Sequence, residues 1–451
     1  MLSFRSRTDY FEQACAVIDD PQVEIVSFDI FDTLLVRPVL EPIDLFHVIA
    51  QKAEKVNLTT DFLAVRRRAE QQARQQMKLS DPFREEPTLV AIYESFGDIA
   101  ALSPQCIHEL MVLELEAERK YLSTRKPLAE LYQYALEKGK RIVAASDSYF
   151  SPEFIGEQAE RNGFGDIDKL YVSSQAGRTK ASGNLFSLML DDLKVAPHKI
   201  LHIGDNLKSD YKQPRRHGLK ALHIPRAVWL FFTQSVNIDL WAEDDFVLTP
   251  DYRLMLGMVI NRRFDSLQTD KWQADSRFNG DPELFGYLGL GPVFYAGAQN
   301  PPTSSRASIA ELLQGASPKA TQKANISEAS SALRKGVSRF LADMEQCFAN
   351  PLEISPRQAL APLMRMLDTP FAVDARMFDG LSVSSIFRNT CNKHRQGLSL
   401  DRRAELILLR PLLSPNPYLR LIHAAPEFFQ NTKHPLLRTY SLWRRQRADL
   451  S

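Results

Sequence analysis

Residues 23–38 read VEIVSFDIFDTLLVRP, a largely apolar run that carries two aspartates, Asp29 and Asp32. Four further apolar runs follow along the chain: RIVAASD (141–147), KLYVSS (169–174), KILHIGD (199–205) and KALHIP (220–225). Runs of this kind are typical of parallel strands that helices cover on both faces. Because helical segments separate most of them, we predict an α/β fold with a Rossmann-like parallel sheet and right-handed crossovers.

A long helical insertion is predicted after the first strand. Apolar residues recur there at helical spacing, for example Ile43, Phe46 and Ile49. Beyond the fifth run the chain is again predicted to be mostly helical, with an interruption rich in Ser, Ala, Pro, Gln and Asn that is typical of a linker. The predicted segments are a core at 1–37 and 126–226, the helical insertion at 38–125, a helical extension at 227–297, a linker at 298–332, and a basic, mostly helical C-terminal region at 333–451.

Asp29 and Asp32 lie at the carboxyl end of the first predicted strand. In an open α/β sheet, ligands bind in the crevice beyond this end. Two carboxylates three residues apart suit covalent catalysis, in which one attacks as nucleophile and the other acts as general acid and then as base. The alternative is structural, with one aspartate capping a turn and the other on the surface. Taken alone, the pair is compatible with both interpretations.

Polar residues after three further strands favour the chemical interpretation. Ser146 and Asp147 end the second run and offer a hydroxyl and backbone N–H groups to an anion just before a helix. Lys180 follows the third run in a glycine-containing loop, so these three residues are candidate phosphate ligands. Asp205 and Asp210 follow the fourth run. Acidic oxygen ligands without His or Cys suit Mg²⁺, so we predict a magnesium site.

The ordered motifs FDIFD, AASD, a loop lysine and IGDNLKSD resemble those of the haloacid dehalogenase (HAD) superfamily of phosphatases and phosphotransferases. The resemblance covers about residues 21–226. It implies that Asp29 is a nucleophile that becomes a transient aspartyl-phosphate, and that Asp32 protonates the leaving group and then activates water. It also implies that Ser146 hydrogen-bonds the phosphoryl group and that Lys180 stabilises its charge.

The same resemblance implies how Mg²⁺ would be held. Its ligands would be Asp29, Asp205 and the backbone carbonyl of Asp32, with Asp210 supporting the site. An acid at position 32 is typical of the phosphatases and phosphomutases of this superfamily. The insertion at 38–125 resembles the family's cap, which closes over the site and selects the substrate.

A narrower resemblance indicates a class of substrate. The phrases FDIFDTLLVRP, SDSYFSPE and IGDNLKSD, with DPELFGYLGLGPVFYAG at 281–297, resemble a subgroup found in bacterial surface-polysaccharide loci. This implies a phosphatase for a phosphorylated sugar, polyol or related intermediate of surface-polysaccharide assembly. The alternatives are a phosphomutase and a scaffold or docking component of the assembly system with the same fold.

Charge and cysteine content limit the setting and the partners. The chain has 56 Lys and Arg against 55 Asp and Glu, a net charge of +1, which argues against a strongly basic nucleic-acid-binding protein. Residues 376–451 carry 13 basic and 5 acidic side chains. This excess of positive charge indicates a segment that docks on an acidic membrane surface or on a polysaccharide enzyme. The alternative is a basic face that is only exposed to solvent. The four cysteines form no CxxC pair, and the N-terminus is not typical of a secretory signal, so we expect a cytoplasmic protein.

Overall fold

The computed structural model describes most of the first 267 residues and shorter parts of the rest. The described residues are 10–53, 61–233, 249–267, 282–292, 295, 324–348, 351–354 and 358–359. The chain divides into two compact units, one formed by residues 1–234 and 248–272 and the other by residues 235–247 and 273–451.

A parallel sheet lies at the centre of the first unit. The strands of this unit are β1 (Ile25–Phe28), β2 (Leu35–Val36), β3 (Ser123–Thr124), β4 (Arg141–Ser146), β5 (Lys169–Val172), β6 (Ile200–Gly204) and β7 (Lys220–His223). Five of them form a sheet in the order β5-β4-β1-β6-β7 with parallel pairing throughout, and β2 and β3 form a separate antiparallel pair. The five apolar runs are therefore the five strands of the sheet, and the predicted α/β fold is confirmed.

Helices cover this sheet and fill the predicted insertion. They are α1 (Tyr10–Ile18), α2 (Leu45–Ala53), α3 (Phe62–Ser80), α4 (Leu89–Ala100), α5 (Pro104–Tyr121), α6 (Lys126–Glu137), α7 (Pro152–Arg161), α8 (Ser173–Ala176), α9 (Asn184–Leu193), α10 (Gln213–Arg216), α11 (Ala227–Thr233) and α12 (Pro250–Arg263). Side-chain oxygens of Asp61, Thr88 and Ser103 cap α3, α4 and α5 by accepting from backbone N–H groups of their first turns. Because α2 to α5 lie between β2 and β3, the helical insertion is present as predicted.

A buried charge network holds the insertion together. Arg66 on α3 is fully buried and donates to both carboxylate oxygens of Glu114 on α5, through Nε at 2.8 Å and Nη2 at 2.9 Å. Tyr93 on α4 donates to the same carboxylate at 2.7 Å. The guanidinium also lies 4.9 Å from the ring centroid of Phe46 and 5.0 Å from that of Tyr149. These contacts join the insertion to the loop after β4, which carries Tyr149.

The position of β1 in the middle of the sheet determines where the polar strand ends meet. All four residues of β1 are buried, and β4 and β6 pair with it on either side. Carboxyl ends of parallel strands share one edge of a sheet, so the residues after β1, β4 and β6 come together there. The amide of Asp29 continues the pairing with β6 by donating to the carbonyl of Ile203 at 2.9 Å.

Helix α12 packs against the segment after β2. Asn261 donates through its side-chain amide to the carbonyls of Arg37 and Val39 at 3.1 and 3.2 Å. A Cβ atom at Gly257 would lie 2.2 Å from the carbonyl carbon of Val39, so the close approach requires glycine. The helical extension predicted at 227–297 is therefore divided, because α11 and α12 belong to the first unit and residues 282–295 to the second.

The described part of the second unit is mostly helical. It contains α13 (Pro282–Phe285), a π-helical turn (Gly286–Leu290) and α14 (Ala324–Cys347). A Cβ at Gly336 would lie 2.0 Å from the carbonyl oxygen of Glu283, so α14 can approach α13 closely only at a glycine. Helix α14 begins at Ala324, inside the segment predicted as a linker at 298–332. The basic segment at 376–451 lies outside the described residues, and among those described no helix is long and apolar enough to cross a bilayer.

Candidate active site

Asp29 is the residue around which the site is built. It directly follows β1, and its side chain is buried. Oδ1 accepts from Nζ of Lys180 at 2.5 Å, and Oδ2 accepts from the hydroxyl of Thr33 at 3.0 Å. Both oxygens accept hydrogen bonds, so the orientation of the carboxylate is fixed. A fixed orientation is what a group needs to attack a bound substrate.

Lys180 joins two strand ends. Its buried ammonium donates to Asp29 and, at 2.6 Å, to Oδ1 of Asp210. The backbone of the lysine loop is held by Asp147, whose two oxygens accept from the amides of Lys180 at 2.6 Å and Ala181 at 3.0 Å. The carboxylate of Asp147 therefore orders the loop. The predicted contact of a phosphoryl group with the backbone N–H groups at Ser146 and Asp147 stays a prediction.

The loop after β6 folds back so that Asp210 reaches the site. Gly204 permits this, since a Cβ there would lie 2.5 Å from Cβ and Cγ of Asp210. Oδ1 of Asn206 accepts from the amides of Lys208 and Ser209 at 2.9 and 3.1 Å, which caps the π-helical turn that follows. The amide of Asn206 in turn donates to Oδ2 of Asp210 at 3.0 Å.

His202 lies beneath the carboxylates, in the core of the sheet. Its Nδ1 is 2.9 Å from the hydroxyl of Ser27, and its Nε2 is 3.2 Å from Oδ1 of Asp210. Burial lowers the pKa of His202, which favours the neutral imidazole. His202 and Lys180 therefore both contact Oδ1 of Asp210.

The carboxylates strongly influence one another's protonation. Burial raises the pKa of Asp29 to about 7, against the lowering effect of Lys180 and with a further contribution from Asp210. Burial and the neighbouring carboxylates, Asp29 foremost, raise the pKa of Asp205 well above its usual range. For Asp210, burial acts in the same direction, but the Lys180 ammonium and the hydrogen bond with His202 together outweigh it, and the pKa is lowered. A further cation would relieve this repulsion.

Three carboxylates are placed to hold that cation. Asp29, Asp205 and Asp210 each offer an oxygen, and the three oxygens lie within 4.8 Å of one another. Their donor atoms are all carboxylate oxygens, which suits Mg²⁺ better than a transition metal. The structure thus brings together three of the four predicted metal ligands, and the donor set fits the ion.

Asp32, the fourth predicted ligand, was predicted to contribute its backbone carbonyl, and it lines the same cavity as the three carboxylates. Its backbone is left-handed, with φ of 59°, in a turn closed by its amide donating to Leu35 O at 2.7 Å. Its carboxylate lies 3.3 Å from Nη1 of Arg226, and its carbonyl accepts from Nη1 of the buried Arg125 at 3.1 Å. A carbonyl oxygen has a second lone pair, so the predicted contact of the Asp32 carbonyl with Mg²⁺ stays a prediction.

Ser146 ends β4 with a buried hydroxyl. The side chain is 1% exposed, and its Oγ has no hydrogen-bond partner among the described residues. Buried hydroxyl groups are normally paired, because an unpaired one costs about 1–3 kcal/mol. An orphaned hydroxyl next to Asp147 is compatible with the predicted contact to a phosphoryl oxygen, which stays a prediction.

A cavity of about 490 Å³ is lined by Lys180 and the three clustered carboxylates. Its lining combines a charged part with an apolar part, to which Leu207 and Trp229 contribute with side chains 48% and 54% exposed. The lining residues are Asp29, Phe31, Asp32, Asp147, Lys180, Asp205, Asn206, Leu207, Ser209, Asp210, His223, Pro225, Arg226 and Trp229. A cavity of this size takes a small molecule.

Two arginines of the site were missed in the sequence. Arg226 directly follows the run KALHIP, so the strand-end rule that selects Asp205 would also have selected it. Arg125 carries no such signal. It precedes α6, and its main partner, Asp265, lies 140 positions away in sequence.

We expect Mg²⁺ to stabilise the first unit more at pH 8 than at pH 5.5. The pKa of Asp29 is about 7, above its ordinary value of 3.8. Between pH 3.8 and 7 the folded metal-free protein therefore binds more protons at this group than the unfolded chain does, and its stability falls as the pH rises through this range. Mg²⁺ requires the deprotonated carboxylate and competes with the proton. Thermal unfolding with and without Mg²⁺ at both pH values measures the difference.

The control for this measurement is the Asp205→Asn protein, which lacks one carboxylate of the cluster. It is expected to show a much smaller Mg²⁺-dependent rise in Tm at pH 8. An equal rise at both pH values, or an undiminished rise in Asp205→Asn, would show that Mg²⁺ binds elsewhere.

Comparisons with known proteins give structural likenesses at low similarity. No protein-family model matches the chain, and no curated protein matches it. Among solved structures, it is similar to a haloacid dehalogenase-like family hydrolase from Xanthomonas campestris, with 15% identity over 54% of this chain and 94% of that one and a TM-score of 0.33. It is also similar to a HAD family enzyme from Bacteroides thetaiotaomicron solved with magnesium and inorganic phosphate, with 12% identity, coverage of 45% and 95%, and a TM-score of 0.32. At these values the likenesses assign no activity.

Proposed function

We propose that the protein is a Mg²⁺-dependent phosphomonoester hydrolase that works through an aspartyl-phosphate on Asp29. The observation that carries the proposal is the bridge from Lys180 to Asp29 and Asp210, with Asp205 beside it. A nucleophilic carboxylate, a fixed cation and a cluster of oxygen ligands are the groups that phosphoryl transfer needs. The order of the motifs, which resembles that of HAD phosphatases, supports the same reaction.

The proposed reaction has two steps. Oδ of Asp29 attacks the phosphorus atom, the bond from phosphorus to the leaving oxygen breaks, and Asp32 gives its proton to that oxygen. Asp32 then takes a proton from water, whose oxygen attacks the phosphorus atom and releases inorganic phosphate and the Asp29 carboxylate. Both aspartates line the same cavity, which supports these roles. Arg226 also lines this cavity and donates to the carboxylate of Asp32.

The remaining groups bind and neutralise the phosphoryl group. Lys180 would offset its charge, and the unpaired hydroxyl of Ser146 would donate to one of its oxygens. Mg²⁺ held by Asp29, Asp205 and Asp210 would supply the positive charge that lets an anionic phosphate approach an anionic nucleophile.

The proposed substrate is a small phosphorylated sugar, polyol or related intermediate of surface-polysaccharide assembly. The cavity volume and its charged lining support a small polar ligand rather than a protein. Trp229 offers a half-exposed aromatic ring within the same cavity, against which the apolar face of a sugar ring can pack. The narrower sequence resemblance supports the biosynthetic setting.

A screen of sugar and polyol phosphates tests this function. We expect release of inorganic phosphate in the presence of Mg²⁺ and loss of release when EDTA removes the metal, since the uncompensated carboxylates would then repel the substrate. Phosphate-free product with an equal yield of inorganic phosphate supports hydrolysis. An isomerised sugar phosphate without free phosphate would instead identify a phosphomutase, and absence of both products across the panel would contradict the proposal.

A further inference from the structure

We propose that Glu85, in the loop between α3 and α4, is a positioning residue for Lys180. The inference rests on the proposed function, in which Lys180 neutralises the phosphoryl group. Glu85 belongs to the helical insertion, whereas Lys180 belongs to the sheet core. The contact therefore couples the insertion to the chemistry of the site.

The carboxylate of Glu85 binds several donors of the lysine loop. Its Oε2 accepts from the amide of Thr179 at 2.7 Å, from the hydroxyl of Thr179 at 2.9 Å and from the hydroxyl of Ser182 at 2.6 Å. Its Oε1 accepts from the side-chain amide of Asn184. Although partial burial opposes the effect, these bonds lower the pKa of Glu85, so the group is ionised at neutral pH.

Two carboxylates thereby hold three successive amides around the lysine. Glu85 takes the N–H of Thr179, and Asp147 takes those of Lys180 and Ala181. The lysine side chain itself is long and flexible. Fixing the backbone on both sides of it limits where Nζ can lie, which favours the bridge between the two aspartates of the cluster.

The backbone of the loop docks on the same segment. The amide of Glu85 donates to the carbonyl of Gly177 at 2.9 Å, and Arg84 donates to the carbonyl of Ser174. Gly177 is left-handed, with φ of 65°, and a Cβ there would lie 3.4 Å from Cγ of Arg84. Phe83, in the same loop between α3 and α4, is 89% exposed and so contributes little apolar contact to the docking. The docking is therefore polar, and each such bond contributes only about 0.5–1.5 kcal/mol.

The experiment compares Glu85→Ala with Glu85→Gln, and uses Glu94→Ala as the control. Glu94 is an exposed residue on α4 of the same insertion. For Glu85→Ala we expect phosphorylation of Asp29 in single turnover to slow by about tenfold or more, because small misplacements of a catalytic group have effects of this size. Hydrogen exchange over residues 173–184 is expected to accelerate, while Tm stays close to that of the wild type.

Glu85→Gln is expected to restore both readouts to within about threefold, because its amide oxygen can take the place of Oε2 and accept from the Thr179 amide and the two hydroxyls. Its NH₂ then takes the place of Oε1, where the side-chain amide of Asn184 can rotate to present its oxygen. A purely structural effect would lower Tm without this rescue. Unchanged exchange and single-turnover rates in Glu85→Ala would overturn the proposal, as would a Glu94→Ala protein with the same defects. If the wild-type protein hydrolyses no phosphomonoester, the proposed function fails, while the exchange measurement still decides whether Glu85 orders the lysine loop.

Discussion

The Asp29→Asn protein is expected to release inorganic phosphate at least about 10³-fold more slowly than the wild type, because an amide oxygen is a poor nucleophile and cannot form the acyl phosphate. The substitution is nearly isosteric: the amide oxygen can still accept from Lys180, and the amide NH₂ can donate to the hydroxyl of Thr33. Lys180 also keeps its bond to Asp210. The fold should therefore persist. Steady-state phosphate release and acid-stable trapping of labelled phosphoenzyme measure the two consequences of the change.

Asp32→Asn provides the matched comparison, because it alters the second carboxylate of the same turn. With p-nitrophenyl phosphate, whose leaving group needs no proton, this protein is expected to form the phosphoenzyme in a burst and to hydrolyse it slowly. Asp29→Asn should show neither the burst nor the trapped phosphate. Near-wild-type turnover by Asp29→Asn, or label trapped on it at the wild-type level, would exclude Asp29 as the nucleophile.

The site residues that could be predicted from the sequence are those that follow a strand directly or within one loop. Each strand is a short apolar run, and parallel strands place their carboxyl ends along one edge, so Asp29, Lys180 and Asp205 could be assigned to one site without knowledge of the packing. The same rule also assigned Asp210 to this site. The loop after β6 brings Asp210 back to the site only because Gly204 leaves room for its side chain.

Residues whose partners are distant in sequence could not be predicted. Glu85 meets the lysine loop 94 positions later, and no local pattern indicates that contact. The direction of the Asp32 carbonyl depends on the left-handed backbone at that residue and on Arg125. Spacing in sequence shows that two carboxylates are near one turn, but it does not show which atoms face the cavity.

Asp265→Ala is expected to lower the free energy of unfolding by about 3–5 kcal/mol, because it leaves a buried guanidinium without its counter-charge. Arg125 is 1% exposed and donates to Asp265 through Nε at 3.1 Å and Nη2 at 3.0 Å. It also donates to the carbonyls of Asp32 and Pro225 at 3.1 and 2.8 Å. Urea unfolding of the wild-type and variant proteins measures the loss.

Asp168→Ala is the control, since it removes the same kind of partner from an exposed arginine. Arg141 and Asp168 have side chains 41% and 48% exposed, and their pair is expected to contribute about 0–1 kcal/mol. If Asp265→Ala cost no more than this, the burial of the Arg125 pair would be contradicted. The double variant Arg125→Met with Asp265→Leu removes both charges and is expected to recover much of the stability. Phosphatase activity should stay low in the double variant, because the carbonyl of Asp32 then lacks the Arg125 donor that orients its turn. A double variant that is stable but inactive would identify Arg125 as a residue that positions Asp32.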